Sequence, residues 1–114
     1  MDLSARVEVV DCPDEGYYEV RVGGQAAGAM LYQRVGSRRA IQAAAIDEAF
    51  RGRGLARVLM GRALDDIRAH GETLSSHCPI LDRFLVDNPQ YRDLVDPDHP
   101  VRALRAAGPD GGGR

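Results

Sequence analysis

The sequence predicts an α/β (α+β) domain: a mixed, mostly antiparallel sheet of about five strands, with a central helix crossover and a second helix towards the C-terminus. Three observations predict it. Short alternating apolar segments separated by Gly and Pro fill residues 7–46. A stripe with helical period follows from about Arg53 to His70. Short apolar segments then resume on both sides of Pro79. A helix between two strands of one sheet makes those strands parallel, because the chain must cross back over the sheet to start the second in the same direction.

Val7-Glu8-Val9-Val10 gives the first strand, and Asp11 to Gly16, with Pro13, the first turn. Tyr17 to Val22 alternates and is rich in strand formers. Gly23-Gly24 is a tight-turn signal, so residues 17–34 read as a hairpin with Met30 and Tyr32 on one face of its second arm, Ala26 to Arg34. After Gly36-Ser37, Ala40 to Ile46 forms a further strand, which Arg38 and Arg39 precede as a solvated edge or, alternatively, as a second phosphate contact. The helix buries Ala56, Leu59, Met60, Ala63, Leu64 and Ile67. Arg62 and Asp66 form an outward pair, Gly61 favours a close helix–sheet contact, and His70-Gly71 ends the element. Glu72 to His77 gives the fifth strand. Pro79 opens a helix with Ile80, Leu81, Phe84 and Leu85 as its apolar face, and Asn88-Pro89 closes it. Residues 1–95 form the expected domain. Residues 96–114, rich in Pro, Asp and Gly, form a flexible tail with one helical turn at Val101 to Ala107.

At 114 residues and a net charge of −2, the chain reads as one globular domain without a nucleic-acid footprint. All fifteen basic residues are arginine, which excludes a lysine nucleophile. Cys12 and Cys78 stand apart, and neither CxxC nor HxxxH occurs, so no metal site is expected. No apolar run is long enough for a leader or a membrane span. The expected setting is cytoplasmic, without membrane contact, as a monomer or weak dimer.

The chemistry concentrates at Phe50-Arg51-Gly52-Arg53-Gly54-Leu55-Ala56. A strand, a basic glycine turn and a helix start together make an anion site: backbone N–H groups converge and the helix dipole adds about half a positive charge. Glycine at 52 and 54 permits close approach and positive φ. The natural ligand is a phosphate or pyrophosphate; the alternative is a plain basic turn before a helix. The dinucleotide pattern GxGxxG fails because Arg57 stands where the third glycine would be, and a nucleotide P-loop fails for want of a lysine.

Arg51-x-x-Gly54-x-Ala56 resembles the pyrophosphate loop, Gln/Arg-x-x-Gly-x-Gly/Ala, of the GNAT superfamily of coenzyme A-dependent N-acetyltransferases. Cys78-Pro79 and Asn88-Pro89-Gln90-Tyr91-Arg92-Asp93-Leu94-Val95 are similar to the Cys-Pro-Phe and His-Pro-Glu-Tyr-x-x-Leu segments of its short, single-domain type. Tyr17-Tyr18-Glu19-Val20, Gly24 and Ala27-Gly28-x-x-x-Tyr32 fit the hairpin of that type. The likeness covers roughly residues 5–95. It implies a GNAT-like fold that binds acetyl-CoA (coenzyme A) and transfers the acetyl group to an amine of unknown identity, on a small molecule, peptide or protein.

By the same resemblance, Arg51, Gly52, Arg53, Gly54, Leu55 and Ala56 hold the pyrophosphate and the backbone of Ile46 holds the pantetheine arm. The strands at 40–46 and 73–77 splay apart around the thioester, with Cys78 at the mouth of the gap. The chain departs from the family where His-Thr-x-Val is replaced by Ala43-Ala44-Ala45-Ile46, where Ile80 replaces Phe, and where Asn88 replaces His. The first of these departures removes polar groups that could take a proton from the amine, which puts catalysis or its usual substrate, but not cofactor binding, in question.

The remaining catalytic candidates each have a plain structural alternative. Glu48, beside Asp47, is a candidate proton acceptor or a solvated turn residue. Cys78, at a helix N-cap where a thiolate is stabilised, is a candidate acyl acceptor or a small buried filler. Tyr91 is a candidate acid for the departing sulfur or an anchor for the C-terminal segment. His77 adjoins Cys78, but neighbours on a strand point to opposite faces, so it reads as a solvated histidine. Two other function classes stand beside the transferase: a non-catalytic acyl-CoA-binding module and a thiol-reactive protein that uses Cys78.

Overall fold

The computed structural model describes residues 6–107. Its strands are β1 (Val7–Cys12), β2 (Tyr17–Val22), β3 (Gln25–Val35), β4 (Arg38–Ile46) and β5 (Thr73–Ser76). They form one sheet in the order β1-β2-β3-β4-β5, antiparallel except for the parallel pair β4–β5. The helices are α1 (Leu55–Ala69), α2 (Pro79–Asp87) and α3 (Arg102–Ala107). A 3-10 turn lies at Glu48–Phe50 and a longer 3-10 segment at Pro89–Leu94. The architecture is the mixed five-stranded sheet with a central crossover that the sequence predicts.

Helix α1 crosses the sheet on the face that carries Tyr18, Val20, Met30, Ile41 and Leu74, all buried. It contributes Leu55, Leu59, Met60, Ala63, Leu64 and Ile67 to the same core. Two bonds close its C-terminus: Gly71 N–H donates to Arg68 O and Glu72 N–H to Ile67 O, the pairing that lets a helix stop sharply and re-enter a sheet. Leu81 and Leu85 of α2 seal the core beside β4 and β5.

Arg39 does not lie on a solvated edge. It is 2% exposed, inside the core beneath the sheet. Its Nε donates to Glu72 Oε1 at 2.7 Å, its guanidinium donates to the Tyr18 hydroxyl, and Asp11 and Asp66 each lie 3.5 Å away. The Tyr18 and Tyr32 rings lie 5.5 and 5.2 Å from its guanidinium carbon. A buried charge is tolerable only when paired and hydrogen-bonded, and here three carboxylates and two aromatic faces supply the pairing.

The same network explains other differences. β1 runs on to Cys12 because Asp11 accepts from Tyr32 Oη at 2.5 Å and is held in the strand. Asp66 accepts from Tyr18 Oη at 2.7 Å and so faces the sheet, where an outward pair with Arg62 was expected. Gly61 meets Phe84 and Tyr91 rather than the sheet, at 3.9 Å from an added Cβ to each, so it is not forced by a close helix–sheet contact. Ile80 is 44% exposed and does not join the apolar face of α2.

The chain after Val95 stays on the body. Leu74 and Val95 form a parallel bridge, and Asp96 N–H donates to Leu74 O at 2.8 Å. Val101 is buried in the core and Leu104 packs against it. The expected tail therefore begins no earlier than the end of α3, because Val101 and Leu104 cover apolar surface that the first 95 residues leave open. The expectation for residues 108–114 falls outside the described residues.

Candidate active site

β4 and β5 agree in register for four pairs only, from Arg38↔Thr73 to Ile41↔Ser76. His77 N–H then donates to Ile41 O at 2.8 Å, and beyond it the chain turns through Cys78 into α2 while β4 continues to Ile46. Residues 42–46 of β4 therefore face a gap in place of a neighbouring strand. The register with β3 shifts between Leu31 and Tyr32, which leaves Gln42 as an extra residue in β4. Past this bulge, Asp47 N–H donates to Ala27 O at 2.8 Å. Backbone groups alternate along a strand, so the N–H and C=O of Ile46 and of Ala44 point away from β3, into the gap.

The loop after β4 opens α1 without a side-chain cap. Gly54 is the N-cap residue with φ 75°, and Gly52 has φ 81°. Both are left-handed conformations that a side chain resists, and a Cβ at either would meet nothing within 4 Å. The two glycines thus line open space in front of the first N–H groups of α1, the arrangement that accepts an anion. Arg53 packs its guanidinium carbon 5.4 Å from the Phe50 ring. Arg51 Nε donates to Ile46 O at 3.1 Å, across the mouth of the gap.

A cleft of about 380 Å3 joins these parts, lined among others by Ile46, Arg51, Gly52, Gly54, Leu55 and Ala56. Six of the residues picked out from sequence are thereby brought together around one concavity. Arg53 is in the loop but is not part of that lining. A second cleft of about 660 Å3 runs between α1 and α2 and shares Ala56 and Ile80 with the first. Together they make one trough from the gap to the outer surface.

The catalytic candidates are not gathered in the same way. Glu48 is exposed in its 3-10 turn. Tyr91 Oη donates to Asp65 at 2.8 Å, and its ring stacks on Phe84 with centroids 5.7 Å apart. Burial, and then the bond to Asp65, push its hydroxyl above the ordinary tyrosine value. The hydroxyl thus has its proton engaged on α1, and Tyr91 does not line either cleft. Cys78 is the N-cap residue of α2, as expected, yet it is 1% exposed and part of the core. Its N–H donates to Ser76 Oγ, which in turn donates to Asp82 at 2.6 Å. His77 is exposed where Cys78 is buried, so the two side chains leave the backbone on opposite faces and make no pair. Sequence reading missed the bulge at Gln42 and the hydrogen bond from Ser76 to Asp82. The first has no side-chain signal, and the second was hidden in a strand pattern.

Among the described residues, no group of three or more His, Cys, Asp or Glu could hold a metal ion. None of the helices among them is long and apolar enough to cross a membrane.

A family model described as GCN5-related N-acetyl-transferase matches residues 17–94, about two thirds of the chain. The chain belongs to the GCN5-related N-acetyltransferase family. Its matched region contains the gap, the glycine loop and both helices that border the trough. Among solved structures, the crystal structure of the ribosomal-protein-S18-alanine N-acetyltransferase from Escherichia coli is similar, with a TM-score of 0.50 and 19% identity. The likeness covers 65% of this chain and 55% of that one, so this chain spans little more than half of that enzyme, and the likeness is one of fold. No match is found among curated proteins.

Proposed function

We propose that this GCN5-related N-acetyltransferase domain binds acetyl-coenzyme A and transfers its acetyl group to an amine. The observation that carries the reading is the convergence of two backbone surfaces on one cleft: the end of β4 at Ala44 and Ile46, where only the Arg51 side chain meets Ile46 O, and the N-terminus of α1, which no side chain caps. An extended chain of amides needs the first, and a pyrophosphate needs the second.

The residues present fit that ligand. Gly52 and Gly54 leave the cradle open, and Arg51 and Arg53 bring guanidinium groups suited to phosphate oxygens. Ile46 and Ala44 offer strand-like pairing, and Arg51 must release Ile46 O for that pairing to form. The bound thioester supplies an activated acyl group. The chain's own task is to align an amine in the gap and to accept its proton. Glu48, exposed in the turn that follows β4, is the candidate acceptor of that proton. Tyr91 is better read as an anchor, because Asp65 holds its hydroxyl.

A non-catalytic acyl-CoA-binding module is the second reading, favoured by the absence of polar side chains at Ala43-Ala44-Ala45. A thiol chemistry at Cys78 would require its buried sulfur to be uncovered. The acceptor, the oligomeric state (monomer or weak dimer) and a cytoplasmic setting belong to the same proposal.

The test is calorimetric titration with acetyl-coenzyme A, repeated with Gly54→Glu. Saturable micromolar binding that the carboxylate abolishes is the expected result. Absence of binding by folded wild-type protein would leave a shared fold without the shared ligand.

A further inference from the structure

β1 forms one border of the sheet. It pairs with β2 alone, and among the described residues no backbone group pairs with its other side. Two bonds settle which groups that side presents. Gly23 N–H donates to Arg6 O, and Gly16 N–H donates to Cys12 O. Alternation then turns the backbone groups of Glu8 and Val10 towards β2 as well, and those of Val7, Val9 and Asp11 outward. The other border offers no such edge, because Leu74 of β5 bridges Val95 and accepts from Asp96 N–H.

Sheet borders are commonly blunted by lysine, proline or a bulge. β1 carries none of these: it reads Val-Glu-Val-Val-Asp-Cys, and its register with β2 is unbroken over all six residues. An unpaired charge on the core side would also repel a partner strand. Asp11 is not one, since it accepts from Tyr32 Oη and lies 3.5 Å from Arg39. Glu8, on the other face, stands opposite Arg21 of β2. Val7 and Val9 pack against the core yet stay half-buried, and so does Val10 on the other face. Apolar surface is thus left open beside a row of unpaired backbone groups.

We infer that this edge pairs with a second copy of the chain, β1 against β1 and antiparallel, about a two-fold axis at Val9. The outward groups set the register. Centred on Val9, each outward N–H and C=O of Val7, Val9 and Asp11 finds a partner, because Val9 meets the partner's Val9 and Val7 meets the partner's Asp11. A slip of one residue sets Val9 against Val10, whose groups already face β2. The axis stands perpendicular to the sheet, so both α1 helices lie on one face of a doubled sheet. On the other face Glu8 meets the partner's Val10, and no like charges stand directly opposite. With the β5 border covered, the contact closes at two copies and does not propagate. It is strand-sized, so the dimer is weak. It lies at the border opposite the gap, leaves both clefts open, and is independent of the coenzyme A reading.

The experiment combines sedimentation with amide hydrogen exchange over one dilution series of the full chain. The mass should rise with concentration from one copy towards two. Exchange at Val7, Val9 and Asp11 should slow by about tenfold or more from the dilute to the concentrated end, while Glu8 and Val10, already bonded to β2, keep a constant rate. Val9→Pro removes one outward N–H and no bond to β2, a place where an edge strand tolerates proline. The variant should fold and stay monomeric across the series. A wild type that remains monomeric throughout, or that dimerises while the three outward amides exchange at a constant rate, would overturn the proposal. So would a folded Val9→Pro variant that dimerises as the wild type does. Should that variant fail to fold, the wild-type exchange rates decide by themselves.

Discussion

Arg39 Nε donates to Glu72 Oε1 at 2.7 Å, and this bond ties the first residues of β4 to the segment that leaves α1. Glu72 is also held by Arg34 at 2.7 Å, so the carboxylate bridges the ends of β3 and β4 to the crossover. The C-terminal end of α1 is thereby fixed to the sheet, at the end of the helix away from the glycine loop.

Replacing Arg39 with Ala should destabilise the fold by about 3–5 kcal/mol, since Glu72, Asp66 and Asp11 lose a common buried partner. Denaturant unfolding measures it. A cost below about 1 kcal/mol would show that the network is no more than a surface pair.

Stability should also fall with acid through Glu72. Burial opposes its charge, but hydrogen bonds from Arg34 and Arg39 outweigh burial and hold the carboxyl below the ordinary value. A depressed folded value gives stability that is full above the unfolded carboxylate range, about 4.3, and is lost as pH drops through the folded value. Urea midpoints from pH 6 to pH 3 should decline over the acid end, and the decline should be shallower in Glu72→Gln.

Gly28 is a test of the gap wall. A Cβ there would stand 2.6 Å from Ala45 O and 3.0 Å from Ile46 Cα. Gly28→Ala should cost roughly 1–3 kcal/mol and push the end of β4 out of register. Affinity for acetyl-coenzyme A should fall with it, which calorimetry on the folded variant reads directly.

Cys78 should behave as a core residue. An aromatic disulfide reagent should titrate one thiol, Cys12, in the native protein and both after unfolding. Cys78→Ala should leave turnover within about three-fold of wild type; a loss of two orders of magnitude would restore a covalent role.

Tyr91→Phe should lower stability by about 0.5–1.5 kcal/mol through the lost bond to Asp65, with kcat unchanged. A selective fall in kcat at constant stability would return the hydroxyl to the chemistry.

Periodicity made α1 legible before any coordinates: Leu59, Met60, Ala63, Leu64 and Ile67 are spaced for one face, and all are buried. The loop was legible because Gly52 and Gly54 carry a backbone requirement that glycine meets. Arg39 was not, since an arginine at a strand start reads as solvated, and its partners Asp11, Tyr18, Asp66 and Glu72 lie on other elements far along the chain. The place of His77 depended on where β5 stops agreeing with β4, a register that no single strand encodes. Val101 looked like part of a polar tail because its burial depends on apolar surface left open by the rest of the domain.

The Leu74–Val95 bridge and the bond from Asp96 to Leu74 fasten the C-terminal segment to the strand that leads to the vertex of the splay. Mechanical load on that end of the protein is delivered to the strand beside the gap. An affinity handle or fluorescent fusion attached after α3 therefore pulls on the strand beside the gap, while one attached ahead of β1 loads the opposite border of the sheet.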